Sequence, residues 1–223
     1  MKKPAVNFFA ITFIAISIAA TVVIGTSALL YFILKCLLIP ALLLLVFFSD
    51  TTAAGKSIII TGLFFSWAGD VLLLFENKDP LFFIGGLVCF LTTHLFYIIY
   101  FLKIKSSQKS LIRNQPWIAA LVAGYGVSLV MFLSPQLGEM KLPVTIYAVV
   151  ICTMVICSLH VFNKTSNPAN ILFVMGAILF AASDSLLAVN KFYKPFPFAG
   201  ALIILTYCAA QFFIVIGVVR RTN

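Results

Sequence analysis

Long apolar stretches alternate with short polar connectors along the whole chain. A hydrocarbon core about 30 Å thick requires roughly 20 consecutive apolar residues for each α-helix that crosses it. Eight stretches satisfy this requirement, and no connector between them is long enough to form a soluble domain. The pattern predicts an all-α integral membrane protein, a single polytopic domain over residues 1–223, with transmembrane helices near 7–24, 28–48, 57–75, 81–102, 116–134, 142–162, 169–189 and 198–218.

The first apolar stretch follows Lys2 and Lys3, so it also resembles a secretory signal peptide, with residues 25–28 as a possible cleavage region. Its length of roughly 18 residues exceeds the usual apolar core of about 7–15 residues in such peptides. We therefore expect the first helix to be retained. Cleavage would leave seven helices without changing the topology of the others.

The chain is 63% hydrophobic and only 9% charged, whereas soluble domains contain roughly 25% charged residues. The net charge is +9, and the basic residues are distributed as in membrane proteins, with more of them on one side of the predicted helices than on the other. This asymmetry predicts that both termini lie in the cytoplasm, and it accounts for the charge without a nucleic-acid partner. We expect the membrane to be a bacterial inner membrane. The predicted cytoplasmic side carries Lys2, Lys3, Lys56, Lys103, Lys105, Lys109, Arg113, Lys164, Arg220 and Arg221, against Lys78, Lys141, Lys191 and Lys194 on the other.

The chain contains an approximate internal copy. The segment GLFFSWAGDVLLLF at 62–75 recurs 114 residues later as GAILFAASDSLLAV at 176–189, which aligns Asp70 with Asp184. The offset aligns the third helix with the seventh and the fourth with the eighth. Aligned helices are thus four membrane crossings apart, an even number, and run in the same direction. The offset therefore indicates two parallel four-helix repeats. Coincidence is the alternative, because the first two helices of each half show no clear match.

Four charged or titratable residues lie well inside the apolar stretches, Lys35, Asp70, His94 and Asp184, whereas His160 lies near the end of the sixth stretch. A charge inside the bilayer is costly, so such residues face the bundle interior and commonly mark a functional site. With a rise of about 1.5 Å per residue, Lys35 and the two aspartates share one layer, and His94 lies deeper. We expect the two carboxyl groups to line one cavity, within about 10 Å of each other. The supporting polar residues are Ser66, Tyr97, Ser183, Tyr207 and Gln211.

Small residues accompany both aspartates. Gly62, Ser66, Gly69 and Asp70 share one helix face, which predicts close approach of a neighbouring helix, and the equivalent face of the seventh helix carries Gly176 and Ser183. Two further interpretations of the ionisable residues remain. Lys35 could pair with one aspartate simply to hold helices together, or the aspartates and His94 could hold a metal ion. Nothing in the spacing requires a metal or a cofactor, and the five cysteines have neither metal-ligand nor disulfide spacing.

Together these motifs resemble the lysoplasmalogenase-like membrane family. The resemblance rests on GLFFSWAGDVLL, HLFY at 94–97, GAILFAASDSLLA, the stretch from Lys35 to Pro40, and the pair Tyr207 and Gln211. It implies an eight-helix membrane hydrolase that acts on a lysophospholipid substrate in the lipid bilayer. Such enzymes cleave the vinyl ether bond of lysoplasmalogens and release a fatty aldehyde and glycerophospho-ethanolamine or glycerophosphocholine.

Vinyl ether hydrolysis begins with protonation of carbon, so it requires a carboxylic acid that carries a proton and a carboxylate that activates water. Two aspartates could divide these roles. A hydrogen bond from Ser183 would favour Asp184 as the ionised partner and leave Asp70 as the proton donor. Lys35 would bind the substrate phosphate or keep one aspartate ionised. The alternatives are a proton-coupled transporter or channel that uses the same aspartates, and a helix scaffold without catalytic activity.

Overall fold

The computed structural model describes residues 3–104, 110–162 and 168–221, and within these ranges the chain is helical without β-strands. Lys2, Lys105, Lys109 and Lys164, which contribute to the predicted charge asymmetry, lie outside the described residues. Eight α-helices contain 20 to 23 residues each, and one short helix, α5, contains four. The helices are α1 (Lys3–Val22), α2 (Ala28–Phe48), α3 (Ala53–Leu73), α4 (Pro80–Leu102), α5 (Leu111–Asn114), α6 (Trp117–Leu137), α7 (Lys141–Val161), α8 (Ala169–Ala188) and α9 (Ala199–Arg221).

Seven segments of the described chain are long and apolar enough to cross a membrane, and the longest, Trp117–Val161, contains two helices. A straight helix of its 45 residues would be about 68 Å long, more than twice the thickness of a hydrocarbon core. The turn Gly138–Met140 prevents this, because Gly138 adopts a positive φ of 50° and α7 packs back against α6. The protein is therefore an integral membrane protein, and the prediction of eight long helices is confirmed.

The chain divides into two compact units. Unit one comprises Met1–Tyr100 with Val218–Asn223, and unit two comprises Phe101–Gly217. Within unit one, α1 packs against α2, α2 against α3, and α3 against α4. Within unit two, α6 packs against α7, α7 against α8, and α8 against α9. Each unit thus contains a series of four long helices in which neighbours along the chain are in contact.

The α3–α4 and α8–α9 pairs meet at equivalent positions. A Cβ atom added to Gly62 of α3 would lie 3.2 Å from the Cβ atom of Phe96 on α4. A Cβ atom added to Gly176 of α8 would lie 2.9 Å from the carbonyl oxygen of Ala210 on α9. Phe96 and Ala210 are themselves separated by the offset of 114 residues that relates the two glycines. The predicted close approach at these small residues is confirmed, and its register in each unit follows the sequence repeat.

The connection from α2 to α3 is held by Lys56 near the start of α3. Its Nζ atom donates hydrogen bonds to the carbonyl oxygens of Phe47, at 3.0 Å, and Ser49, at 2.8 Å. These carbonyl groups lie at the C-terminal end of α2, where a helix has unpaired acceptors and partial negative charge. Lys56 therefore fixes the chain between the two helices that carry Lys35 and Asp70.

Candidate functional site

The predicted site residues are buried or partly buried between packed helices rather than exposed on the outer surface. Lys35 and Asp184 are partly buried. Asp70 is 2% exposed, and the predicted site residues other than Lys35 and Asp184 are at most 6% exposed. These buried residues are Ser66, Asp70, His94, Tyr97, Ser183, Tyr207 and Gln211.

In unit one, Asp70 on α3 forms an ion pair with Lys35 on α2. The Lys35 Nζ atom lies 3.8 Å from Asp70 Oδ1 and 5.9 Å from the ring centroid of Tyr31. Helix geometry had predicted that Lys35 and Asp70 lie in one layer, and the contact between them agrees with that depth. The lysine therefore supplies a counter-charge to the first of the two aspartates.

A proline and a tryptophan fix the register of α2 against α3 beside this ion pair. Pro40 has no backbone N–H, so the carbonyl oxygen of Cys36, four residues earlier, lacks its usual helical donor. The indole Nε1 of Trp67 donates a hydrogen bond to that oxygen at 3.0 Å. Cys36 follows Lys35 directly, and Trp67 lies one helical turn before Asp70. The bond therefore positions the two members of the ion pair relative to each other.

The polar residues of α4 lie behind α3 in the same unit. Tyr97 packs against Gly62, where an added Cβ atom would be 3.2 Å from its ring. Thr93 Oγ1 lies within donating distance of the carbonyl oxygens of Gly62, at 3.0 Å, and of Cys89 on its own helix, at 3.1 Å. His94, next to Thr93, is fully buried. Thr93 was not among the predicted site residues, and its hydroxyl group lies at the α3–α4 contact that the small residues of α3 predict.

In unit two, Asp184 on α8 has a different partner. The hydroxyl group of Tyr147 on α7 donates a hydrogen bond to Asp184 Oδ2 at 2.6 Å, and Tyr147 is buried. Tyr147 was missed because a single tyrosine within an apolar helix is ordinary. The repeat did not identify it, because Tyr147 precedes Asp184 by 37 residues whereas Lys35 precedes Asp70 by 35. In both units, the helix before the aspartate provides its partner.

The expectation for Ser183 was wrong. Its hydroxyl group donates a hydrogen bond to the carbonyl oxygen of Ile203 on α9, at 3.0 Å. A hydroxyl group has one proton to donate, so Ser183 does not donate to Asp184. The hydrogen bond expected from Ser183 to Asp184 is therefore absent, and the Asp184 carboxyl group accepts one from Tyr147 instead. Ser183 instead joins α8 to α9, at the repeat position where Gly69 of α3 meets Phe90 of α4.

The remaining predicted residues of unit two lie on α9. The Tyr207 ring packs edge-to-face against Phe180 of α8, with ring centroids 5.6 Å apart. Gln211, one turn further along, is fully buried. Both residues therefore belong to the α8–α9 interior rather than to an exposed helix face.

Asp184 and Tyr147 line a cavity of about 40 Å³ between α6, α7 and α8. Tyr125 of α6 and Ser185 of α8 also line it, and their hydroxyl oxygens lie 2.7 Å apart in a hydrogen bond. The other lining residues are apolar or glycine, except Cys152. The cavity thus places one carboxyl group and three hydroxyl groups in an otherwise apolar space.

Metal binding finds no support among the described residues, where no group of three His, Cys, Asp or Glu side chains could hold an ion. The five cysteines, all at described positions, are thiols and form no disulfides. The predicted site residues supply carboxyl groups, hydroxyl groups, the Lys35 ammonium group and the His94 imidazole. Such groups can transfer protons and activate water.

Comparison with known proteins places the chain in a family. The YhhN family profile matches residues 30–218. Human lysoplasmalogenase TMEM86A is 30% identical over 166 residues, which cover 73% of this chain and 65% of the relative. Human lysoplasmalogenase TMEM86B is 29% identical over 189 residues, 84% of this chain and 75% of the relative. The lysoplasmalogenase of Mycobacterium tuberculosis is 31% identical over 162 residues, 68% of this chain and 59% of the relative.

The chain thus spans less than two thirds of the length of the TMEM86A relative. No solved structure matches it. The names of the relatives confirm the resemblance drawn from the aspartate motifs, and the family match covers seven of the eight long helices almost completely. The chain belongs to the YhhN family.

Proposed function

We propose that the protein is a membrane hydrolase that cleaves the vinyl ether bond of lysoplasmalogens, releasing a fatty aldehyde and glycerophospho-ethanolamine or glycerophosphocholine. Family membership and the names of the relatives support the reaction. The observation that carries the proposal is the pair of repeated aspartates, each within an apolar helix and each held by a polar partner from the preceding helix.

The reaction needs only proton transfer and water. A carboxylic acid donates its proton to the alkenyl carbon that is not bonded to oxygen, and the other alkenyl carbon becomes an oxocarbenium centre. Water adds to that centre and loses a proton to a carboxylate, giving a hemiacetal. The hemiacetal breaks its bond to the glycerol oxygen, which takes up a proton as the aldehyde forms. One water molecule is consumed and no oxidation occurs.

The partners of the aspartates support a division of roles opposite to the one favoured by sequence. Lys35 gives Asp70 a counter-charge, so Asp70 is assigned as the carboxylate that stabilises the cation and activates water. A full positive charge stabilises a carboxylate more than a hydrogen bond from a neutral hydroxyl group does, so Asp184, which accepts a hydrogen bond from Tyr147, is assigned as the proton donor. The location of Lys35 favours the counter-ion role over phosphate binding. Supporting positions are assigned to Ser66, His94 and Tyr97 in unit one and to Ser183, Tyr207 and Gln211 in unit two.

The decisive experiment measures aldehyde release from a lysoplasmalogen by purified protein in lipid nanodiscs, using mass spectrometry. In D₂O, the aldehyde, trapped by reduction, should carry one deuterium on the carbon next to the former carbonyl group, because that carbon receives the transferred proton. The matching 1-alkyl and 1-acyl lysophospholipids should release no aldehyde. Absence of aldehyde from every vinyl ether lipid, together with solute flux in protein-containing vesicles, would replace the hydrolase with the transporter.

The topology is part of the same proposal: both termini face the cytoplasm. The support is the distribution of lysine and arginine, ten against four. Reporter fusions after Arg221 and within residues 106–109 should both give cytoplasmic signals. A periplasmic signal from either fusion would reverse the assigned orientation of every helix.

A further inference from the structure

An apolar groove of about 390 Å³ lies between α6, α7 and α8 in unit two. Apart from the Tyr125 hydroxyl group and the Cys152 thiol, its wall consists of alanine, valine, leucine and isoleucine side chains. Leu121 and Ile178 on its rim are each more than half exposed. The groove therefore opens on the outer apolar surface of these helices, where a membrane protein contacts lipid.

The groove borders the small cavity that contains Asp184. Tyr125, Cys152 and Ala181 line both spaces. The walls thus change from wholly apolar at the outer rim to carboxyl and hydroxyl groups at the inner end, where Tyr147 bonds to Asp184. A bound molecule that follows this path would have a long hydrocarbon part outside and a polar bond inside.

We propose that this groove binds the aliphatic chain of the single-chain lipid substrate and that its lining residues select chain length. The inference rests on the proposed hydrolase function, since the vinyl ether bond then reaches the cavity of Asp184. The volume lies within the range of about 300–1,000 Å³ that is usual for small-molecule sites. No charged side chain lines the groove, so the phosphate-bearing end of the lipid does not belong there.

Substitutions that narrow the groove should change selectivity for chain length. Val122→Phe narrows its wall on α6, and Ile178→Phe narrows it at the exposed rim of α8, where a larger side chain is easily accommodated. Val127→Phe is the matched control, because Val127 is 58% exposed on α6 and lines neither space. Each buried methylene contributes about fourfold to binding. Displacing two methylenes should lower kcat/KM for long chains about fifteenfold relative to short chains.

A binding experiment tests the groove without requiring turnover. The probe is a 1-alkyl lysophosphatidylcholine with a diazirine at the end of its chain, which lacks the vinyl ether bond and is not a substrate. After irradiation, peptide mass spectrometry should locate adducts on the segments containing Val122, Val155 and Ile178. Unlabelled 1-alkyl lysophosphatidylcholine should compete, and each of the two groove substitutions should reduce labelling about fifteenfold, whereas Val127→Phe should not.

The outcomes separate the two proposals. Competed labelling without aldehyde release from any vinyl ether lipid would support the chain site and overturn the hydrolase function. Aldehyde release with the same chain-length profile in Val122→Phe, Ile178→Phe and Val127→Phe would overturn the chain site alone. Equal labelling by a diazirine-bearing phosphatidylcholine, with no competition by the lysolipid, would show that bilayer phospholipid occupies the groove and would also overturn the inference.

Discussion

In unit one, Asp70 of α3 lies beside the ammonium group of Lys35, whereas in unit two Asp184 of α8 accepts a hydrogen bond from the phenol of Tyr147. The helix pairs that carry these aspartates pack in the same register, at Gly62 in one unit and Gly176 in the other. The difference comes from α2 and α7, which show no clear sequence match. A repeated scaffold therefore places two like groups, and the helices outside the repeated motif give them unlike surroundings.

The largest effects should come from removing either carboxyl group. Asp70→Asn and Asp184→Asn keep the side-chain shape but prevent proton transfer, so each should lower kcat for vinyl ether cleavage about 10²–10⁴-fold. If both groups act in one step, the double variant should be little worse than either single variant. The measurement is aldehyde release at saturating substrate, with helix content checked by circular dichroism.

Asp79→Asn is the matched control for these substitutions. Asp79 precedes α4, and its Oδ1 atom accepts a hydrogen bond from the backbone N–H of Leu81 at 2.7 Å. Asparagine can accept the same bond, so activity should not change. Near-normal turnover in both aspartate variants would end the acid–base proposal.

Removing the polar partner of each aspartate should lower the free energy of unfolding by different amounts in the two units. Lys35→Met leaves the buried Asp70 carboxylate without its counter-charge and should lower the free energy of unfolding by about 3 kcal/mol, the low end for a broken buried ion pair. This low value is appropriate because the Lys35 side chain remains 15% exposed. Tyr147→Phe removes one hydrogen bond to Asp184 and should cost about 1.5 kcal/mol. Unfolding of the purified variants in detergent gives both numbers.

The double variant Lys35→Met/Asp70→Asn is the internal control, since it removes both charges together. It should recover much of the stability lost in Lys35→Met alone. A greater loss in Tyr147→Phe than in Lys35→Met would contradict the assignment of Asp70 as the ionised member.

The hydrogen bond from Trp67 to the Cys36 carbonyl oxygen links α2 and α3. It has no counterpart in unit two, because the repeat places Ala181 where unit one has Trp67. Trp67→Phe removes the donor to the Cys36 carbonyl oxygen and should cost about 1–2 kcal/mol. It should also lower kcat, since Lys35 and Asp70 lose their fixed register. The variant Trp67→Phe/Pro40→Ala restores a backbone donor to the same oxygen and should recover both quantities.

Trp117→Phe is the matched control, because Trp117 is 59% exposed at the start of α6. It should leave stability and turnover unchanged. Failure of Pro40→Ala to rescue Trp67→Phe would show that the indole acts through its size rather than through its hydrogen bond.

The smallest effects on stability are expected from replacing the glycines at the two helix contacts, Gly62 and Gly176, with alanine. An added Cβ atom at Gly176 would lie 2.6 Å from the side-chain Cγ1 atom of Ile214, and also 2.9 Å from the Ala210 oxygen and 3.1 Å from the Ile214 nitrogen, two backbone atoms that cannot move alone. The nearest atoms at Gly62 belong to side chains, at 3.2 Å. Gly176→Ala should therefore cost about 1 kcal/mol after the gain in helix propensity, and Gly62→Ala less.

Gly124→Ala provides the reference for helix propensity, since nothing lies within 4 Å of its added Cβ atom. It should be neutral or slightly stabilising in the same unfolding assay. Equal losses at Gly62 and Gly176 would mean that α3–α4 and α8–α9 are equally tight, contrary to the distances.

The sequence by itself determined the eight helices, the polar positions within them and the register of the two repeated helix pairs. These follow from local properties: the length of an apolar run, the cost of an ionisable group in lipid, and small residues spaced one or two turns apart. Asp70 and Asp184 were identifiable for that reason. So was the depth shared by Lys35 and Asp70, which their contact in unit one matches.

Only the tertiary structure determined the partners. A shift of one residue turns a helix by about 100°, so the sequence of an apolar helix such as α7 does not show which side chain faces its neighbour. Tyr147 was therefore missed, as was the Trp67 bond to the Cys36 carbonyl oxygen, which depends on how α3 lies against the interrupted hydrogen bonding of α2. Ser183 was assigned to its sequence neighbour Asp184, but its single proton goes to Ile203 on an adjacent helix. The groove between α6, α7 and α8 likewise exists only because three separate helices leave space between them.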